Sequence, residues 1–244
     1  MDRLIYLSMA GAKATMQRQD SLAHNLANAS TTGFRAEMQA FRAVPVRGEG
    51  ATTRAYVLES SIGHDTRPGA MQATGRNLDV AMQGNAWLAV QGLDGTEAYT
   101  RAGALEVNAE GVLVTPAGLP VQGDGGPITV GLNAQVEIGA DGTITATTGN
   151  GRPQNVGRLK LVTPEAPLQR GTDGLFRAAD GADLPADATA RLSSGMLEGS
   201  NVSPVETMVA MIAAARQFEQ QMKALQGAEQ REQQAAKLLA PSGG

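Results

Sequence analysis

The chain has 244 residues with 20 basic and 24 acidic side chains, a formal charge of −4, no cysteine and only 3% aromatic residues. The weak acidic balance and the lack of a basic cluster argue against a nucleic-acid binder. Missing cysteines exclude disulfides, thiol nucleophiles and Cys-based metal sites. No run of about 18 apolar residues occurs, so no stable membrane insertion is expected.

The start, Met1 to Met9, lacks a basic stretch followed by a continuous apolar run, so no cleavable secretory signal is expected. From Leu4 to about Ala29 there is no Pro and only Gly11, and Ile5, Met9, Ala12, Met16, Gln19, Ala23 and Leu26 recur in steps of 4 and 3. That alternation keeps one seam toward a partner helix; an ordinary amphipathic helix on a globular core is the other reading. Gly33, after Ser30, Thr31 and Thr32, marks the exit.

Residues 35–75 have no clear period and read as a connector arm. Short alternating runs follow at Leu78–Met82, Trp87–Val90, Leu105–Val107, Val112–Val114, Val136–Ile138 and Leu159–Leu161. Asp94-Gly95, Glu110-Gly111, Asp141-Gly142 and Asp173-Gly174 punctuate them as turns, the first three as hairpins. This predicts a mainly antiparallel β domain.

Ser203-Pro204-Val205-Glu206 is a capping box with Pro at the first helical position, so a helix begins there. Met208, Met211, Ala215, Phe218, Met222, Leu225, Glu229, Glu232, Ala236 and Leu239 continue the 3, 4 alternation. Over this span a helix reaches about 54 Å at 1.5 Å per residue, long enough to require a partner along its length. The fold class expected is α+β, with long terminal coiled-coil-type helices around a mainly antiparallel β middle. The divisions expected are an N-terminal helix at 1–34, the arm at 35–75, the β domain at 76–195 and a C-terminal helix at 196–244.

Chemistry-bearing motifs are scarce. His24 and His64 have no partner at metal-ligand spacing. There is no phosphate loop, dinucleotide fingerprint or nucleophile elbow. Gly123-Asp124-Gly125-Gly126 reads as a turn. Neither catalysis nor a cofactor or metal is expected. A carboxylate pair of the glycan-hydrolase kind in the β region is the rival reading, although no residue stands out for it.

Leu22-Ala23-His24-Asn25-Leu26-Ala27-Asn28-Ala29-Ser30-Thr31-Thr32-Gly33-Phe34-Arg35 resembles the N-N-L-A-N-x-x-T-x-G-[FY] signature of the bacterial flagellar rod and hook axial proteins, with His24 in place of the first Asn. Thr74–Gly84 is similar to that family's T-G-N-x-L-D-x-A-I-x-G segment, and Tyr99-Thr100-Arg101 to its Y-T-R. Leu197-Glu198-Gly199-Ser200-Asn201-Val202, running on to Glu206, Met211-Ile212, Arg216, Phe218-Glu219 and Lys223, matches its C-terminal stretch. Departures fall at Arg76-Asn77, where Asn-Pro is common, and at Asn85-Ala86-Trp87, where an Asp-Gly-Phe turn is usual; both leave the local turn open.

The resemblance implies a subunit of the basal-body rod that crosses the periplasm, nearer the proximal than the distal rod in its termini and length. It further implies export without processing through the flagellar type III apparatus, and other rod subunits as partners. Together with the seams it places an assembly interface at Ile5, Met9, Met16, Leu22, Asn25, Leu26, Asn28, Gly33, Phe34, Asn201, Val202, Met208, Met211, Ala215, Phe218, Met222 and Leu225.

Overall fold

The computed structural model describes residues 2–45, 55–132, 134–149 and 151–239, with side chains except at 2–7, 43, 55–62, 232 and 235–239. The expectations for the side chains of Ile5, Glu232, Ala236 and Leu239, and for 46–54 of the arm, lie outside the described residues. The chain divides into a helix unit, Met1–Ala29, Glu37–His64 and Val202–Gly244, and a β unit, Ser30–Ala36 and Asp65–Asn201.

In the helix unit, α1 spans Asp2–Ala27 and α2 spans Pro204–Leu239. Ser203 begins α2 as the capping pattern requires: its hydroxyl accepts from the Glu206 N–H at 3.5 Å and its carbonyl from the Thr207 N–H at 3.0 Å. Between the helices in sequence, β1 (Glu37–Pro45) pairs antiparallel with β2 (Ala55–His64). These strands fall inside the span expected as a connector.

The expectation of coiled-coil-type helices is corrected. Met9 and Met16 are 53% and 58% exposed and Met208 is 50% exposed; Ala23 and Glu229 also face solvent. Among the described side chains of α1, those buried are instead Ser8, Ala14, Thr15, Ser21 and Asn25, all small or polar. Interlocking knobs need bulky apolar side chains at the seam positions. Here small residues allow close approach, and a Cβ at Gly11 would stand 3.1 Å from the Gln221 side chain of α2. The cause is that α1 spends part of its inner face on β1. Gln39 donates to the Gln17 carbonyl at 3.2 Å and to the Ser21 hydroxyl, bonds that an apolar seam could not form.

Every strand pair among the described residues is antiparallel. The central sheet of the β unit orders Leu161–Val162, Trp87–Gln91, Glu97–Thr100, Phe176–Arg177 and Gln169–Arg170 side by side. Alternation along Trp87–Val90 sends Leu88 and Val90 into the larger core, with Met82, Leu105, Leu113 and Leu161, and sends Trp87 and Ala89 into a second core with Tyr99, Val162 and Phe176. With both faces covered, the strand reads as a continuous apolar run.

Turns recur in one form. Gly92, Gly139 and Gly171 each donate to the carbonyl four residues on, at 2.8 Å, and accept from Gly95, Gly142 and Gly174. Those three glycines hold φ of 80–85°, a region costly for side chains bearing a Cβ. The Asp between them accepts from the N–H two residues on, as Asp94 does from Thr96 at 3.0 Å.

Asp187 forms a related clasp. Its carboxylate accepts from the Thr163 hydroxyl at 2.6 Å, the Thr189 hydroxyl at 2.6 Å and the Thr189 N–H at 2.8 Å. These bonds, Thr163 first, hold its pKa down at about 2. A depressed carboxylate contributes stability above its unfolded value, and the contribution disappears as pH falls through the folded value. Asp187→Asn is therefore expected to lower the thermal midpoint at pH 7, with the gap to wild type closing as pH falls from about 4 toward about 2. Melting curves across that range check it, and a pH-independent gap would contradict it.

Candidate functional site

The family-like motifs form one set of contacts within the helix unit and another within the β unit. In the helix unit, Asn25 is 7% exposed and uses both ends of its amide on the backbone of one residue: Nδ2 donates to the Glu37 carbonyl at 3.0 Å and Oδ1 accepts from the Glu37 N–H at 2.8 Å. An asparagine side chain thereby stands in for a strand at the start of β1. His24 Nδ1 lies 3.5 Å from the Glu37 carboxylate, and Asn28 Nδ2 bonds back to the His24 carbonyl at 2.9 Å, satisfying the last turn of α1.

Inside the β unit, Gly33 takes φ +69°, and a Cβ there would collide with the Arg101 backbone, so this position requires glycine for both conformation and space. Its N–H bonds to the Glu198 carbonyl at 2.8 Å, and the Phe34 carbonyl accepts from the Asn201 N–H at 3.3 Å. Asn201 spends its whole amide here: Oδ1 accepts from Ala36 at 2.7 Å, and Nδ2 donates to the carbonyls of Asp65 at 3.1 Å and Arg67 at 2.9 Å. The chain passes between units at 29/30, 36/37, 64/65 and 201/202. Itself at one of these crossings, Asn201 thus binds the β-unit residues at two others, Ala36 and Asp65.

Beneath this node lies an ionic cluster. Glu198 is 1% exposed. One carboxylate oxygen faces Arg35 at 2.8 Å and accepts from the Gly69 N–H at 2.9 Å. The other faces Arg101 Nη2 at 2.6 Å and Nε at 2.8 Å. Two guanidiniums on one carboxylate leave a net buried positive charge, and backbone carbonyls absorb it. Arg101 donates to Met82 and Gly84, each at 3.1 Å, and to Ala86; Arg35 donates to Arg67. Burial lowers the Arg35 pKa, opposed by Glu198 and reinforced by Arg101. Asp65 beside it is held below the usual carboxylate range, first by its hydrogen bonds from the Arg67 side chain.

The expected interface residues fall into distinct settings. Asn25, Gly33, Phe34 and Val202 are buried, and Leu22, Leu26, Asn28 and Asn201 are half-buried. Along α2, Met211, Ala215, Phe218, Met222 and Leu225 are half-buried and Met208 is exposed. Spacing did not find Val205, Val209 and Ile212, exposed at 71%, 62% and 56%, which with Met208 form an apolar stripe over the first turns of α2. Nor did it find Arg35 and Glu198 as an ion pair, since charged residues are read as surface by default; the available signal was their place inside motifs, directly after Phe34 and Leu197.

A groove of about 290 Å³ in the helix unit is lined by Arg18, Ser21, Leu22, Asn25, Glu37, Gln39 and Phe41. Among the described residues, no cluster of His and carboxylates could hold a metal ion. No helix there is long and apolar enough to cross a membrane. The carboxylates buried in the β unit, Asp79 and Glu198, are engaged by Thr74 at 2.6 Å and by the two arginines.

Comparison with known proteins agrees with this geometry. Residues 5–35 match the profile described as flagella basal body rod protein, residues 81–146 that of the flagellar hook protein FlgE/F/G D1 domain, and residues 193–238 that of the flagellar basal body rod FlgEFG protein C-terminal region. The chain is 49% identical over 252 residues to the flagellar basal-body rod protein FlgF of Salmonella typhimurium, covering 99% of this chain and 100% of the relative. Against the Escherichia coli protein of the same name it is 49% identical over 253 residues, with the same coverage. The flagellar basal-body rod protein FlgG of Bacillus subtilis is 32% identical, covering 91% of this chain and 94% of the relative. Each of the three matched segments supplies one member of the ion cluster: Arg35, Arg101 and Glu198.

Removing one partner of a buried cluster strands the others without compensation. Glu198→Ala is expected to cost about 3–5 kcal/mol, well above an ordinary surface change. Urea denaturation of the purified chain measures it; a loss under about 1 kcal/mol would contradict this account.

Proposed function

The chain belongs to the flagellar basal-body rod protein family, on its FlgF branch, and from that membership we propose that it is a structural subunit of the proximal rod, assembling through its terminal helices into the drive shaft that crosses the periplasm. It works beside other flagellar rod components in the basal body. In this reading it reaches them unprocessed through the flagellar type III export apparatus, and it catalyses nothing.

The observation that carries the reading is where apolar surface is left bare. Among the described residues, Met9, Met16, Met38, Phe41, Val205, Met208, Val209 and Ile212 are large, apolar and exposed in the helix unit. Only Met71, Leu93 and Leu132 share those properties in the β unit. Clustered bare apolar side chains mark an interaction surface. Burying them yields about 25 cal/mol per Å², which offsets the entropy of ordering a helix longer than its own unit covers.

The assembly interface proposed therefore combines Met9, Met16 and Met208 with the stripe of Val205, Val209 and Ile212, while Met211, Ala215, Phe218, Met222 and Leu225 serve both the packing of the subunit and its neighbours. The adaptable Met side chains suit contacts with several related partners. A chain 49% identical to FlgF proteins and 32% identical to a FlgG protein sits better in the proximal than in the distal rod.

Val209→Asp and Ile212→Asp place a charge on bare surface, so each is expected to leave the free subunit within about 0.5 kcal/mol of wild type yet to stop rod incorporation and motility. Denaturation of the purified variants and counts of rods in isolated basal bodies give the two readouts. Normal rods with either variant would refute the placement.

A further inference from the structure

Arg170 belongs to none of the family-like motifs, yet it stands where their contacts close on themselves. Its guanidinium lies 4.5 Å from the ring centroid of Phe34 and 5.8 Å from that of Phe176. Phe176 packs on Trp87 with centroids 4.7 Å apart and planes tilted 55°, a favourable aromatic geometry. Arg101 lies 5.9 Å over Trp87. Arg101 and Arg35 share Glu198, and Arg35 is the covalent neighbour of Phe34. Seven side chains thus form a closed circuit of ionic, cation–π and aromatic contacts inside the β unit. A chain with four Phe and one Trp commits two of the former and the latter to it.

The circuit takes in side chains of two segments that end where the chain leaves the β unit, Phe34 and Arg35 on one and Glu198 on the other. Gly33 and Phe34 bond to Glu198 and Asn201, all within three residues of Ala36 or Asn201, where the chain leaves the β unit. A one-sided contact would let these segments pivot. A closed circuit resists displacement in any direction, because moving Phe34 disturbs Arg170 on one side and, through Arg35, Glu198 on the other.

We propose that Arg170 is a positioning residue that locks segments Ser30–Ala36 and Glu198–Asn201 to the β unit as one rigid body, so that twist carried by the terminal helices is delivered to the β unit without slack. The mechanical part of this inference rests on the rod reading.

The test uses the full-length chain with Arg170→Leu, Phe34→Leu, their double variant, and Arg177→Leu as control. Arg177 sits on the neighbouring strand and braces Asp94 and Asp173, outside the circuit. In hydrogen exchange, the amides of Gly33 and Asn201 are expected to exchange about tenfold faster in Arg170→Leu, the size of one well-desolvated cation–π contact, with core amides such as Leu88 unchanged. The double variant is expected to be no faster than Phe34→Leu alone. Unchanged rates, additive rates, or equal acceleration in the control would overturn the lock. Should Arg170→Leu fail to fold, Arg170→Gln keeps a long polar side chain but removes the cation, and wild-type rates in that variant overturn it equally.

In cells, Arg170→Leu is expected to give rods in normal number while swimming speed falls more steeply than wild type as viscosity rises. A wild-type load curve, or loss of rods altogether, would overturn the coupling. The rod reading fails separately, through normal rods in Val209→Asp.

Discussion

The position of one carboxylate constrains the rest of the β unit. Glu198 carries a full charge at 1% exposure and is tolerated only because both oxygens are occupied, by Arg35 and Gly69 on one side and by Arg101 on the other. The second guanidinium then demands acceptors of its own, and the backbone from Met82 to Ala86 must turn so that three carbonyls point at Arg101. Gly84, at φ +59°, makes that turn feasible. This resolves the departure at Asn85-Ala86-Trp87 from the family's usual turn: what the site needs from this segment is carbonyl oxygens, which any residue supplies, and a ring at Trp87 for Arg101 to lie over.

Charge burial on this scale is a poor source of net stability, since hydrophobic replacements of similar volume are often as stable. Its value lies in specificity. An apolar contact between segment 33–36 and segment 198–201 could slide by a residue at small cost. A carboxylate shared by two arginines cannot, because any shift leaves a buried charge unmatched. Asn25 and Asn201 act in the same way on the backbone, each satisfying donors and acceptors of fixed spacing. These contacts in each unit are therefore built from groups that tolerate one register, while the helices carry small residues at their buried positions and a bare apolar stripe on α2.

Legibility in the sequence follows the same division. The strands around Leu88 and Val136 and the turns at Asp94-Gly95 and Asp141-Gly142 were readable because period-2 burial and positive-φ glycines leave local traces. The start of α2 was readable from Ser203 and Pro204. The inner face of α1 was misread because Ser8, Thr15 and Ser21 look like solvent positions, whereas Met9 and Met16 look like core. Only the hairpin of β1 and β2 explains the polar choice, and its own pattern, Glu37 to Pro45, gives no clear period. The ion cluster was invisible for a related reason: its members lie 66 and 97 residues apart in sequence, at Arg35, Arg101 and Glu198, and no local period records such a meeting.

The motif residues and the bare apolar residues consequently answer different physical demands. Asn25, Gly33, Phe34 and Asn201 direct their hydrogen bonds and ring contacts within their own units, so substituting them acts first on how the chain leaves each unit. Val205, Val209 and Ile212 make no such commitment, and their spacing on one helix face is satisfied by any apolar side chain of similar size. A surface of that kind leaves no strict signature, since hydrophobic matching depends on area and shape more than on residue identity. Family signatures in this chain thus mark contacts fixed within each unit, whereas the bare apolar stripe is found only from exposure.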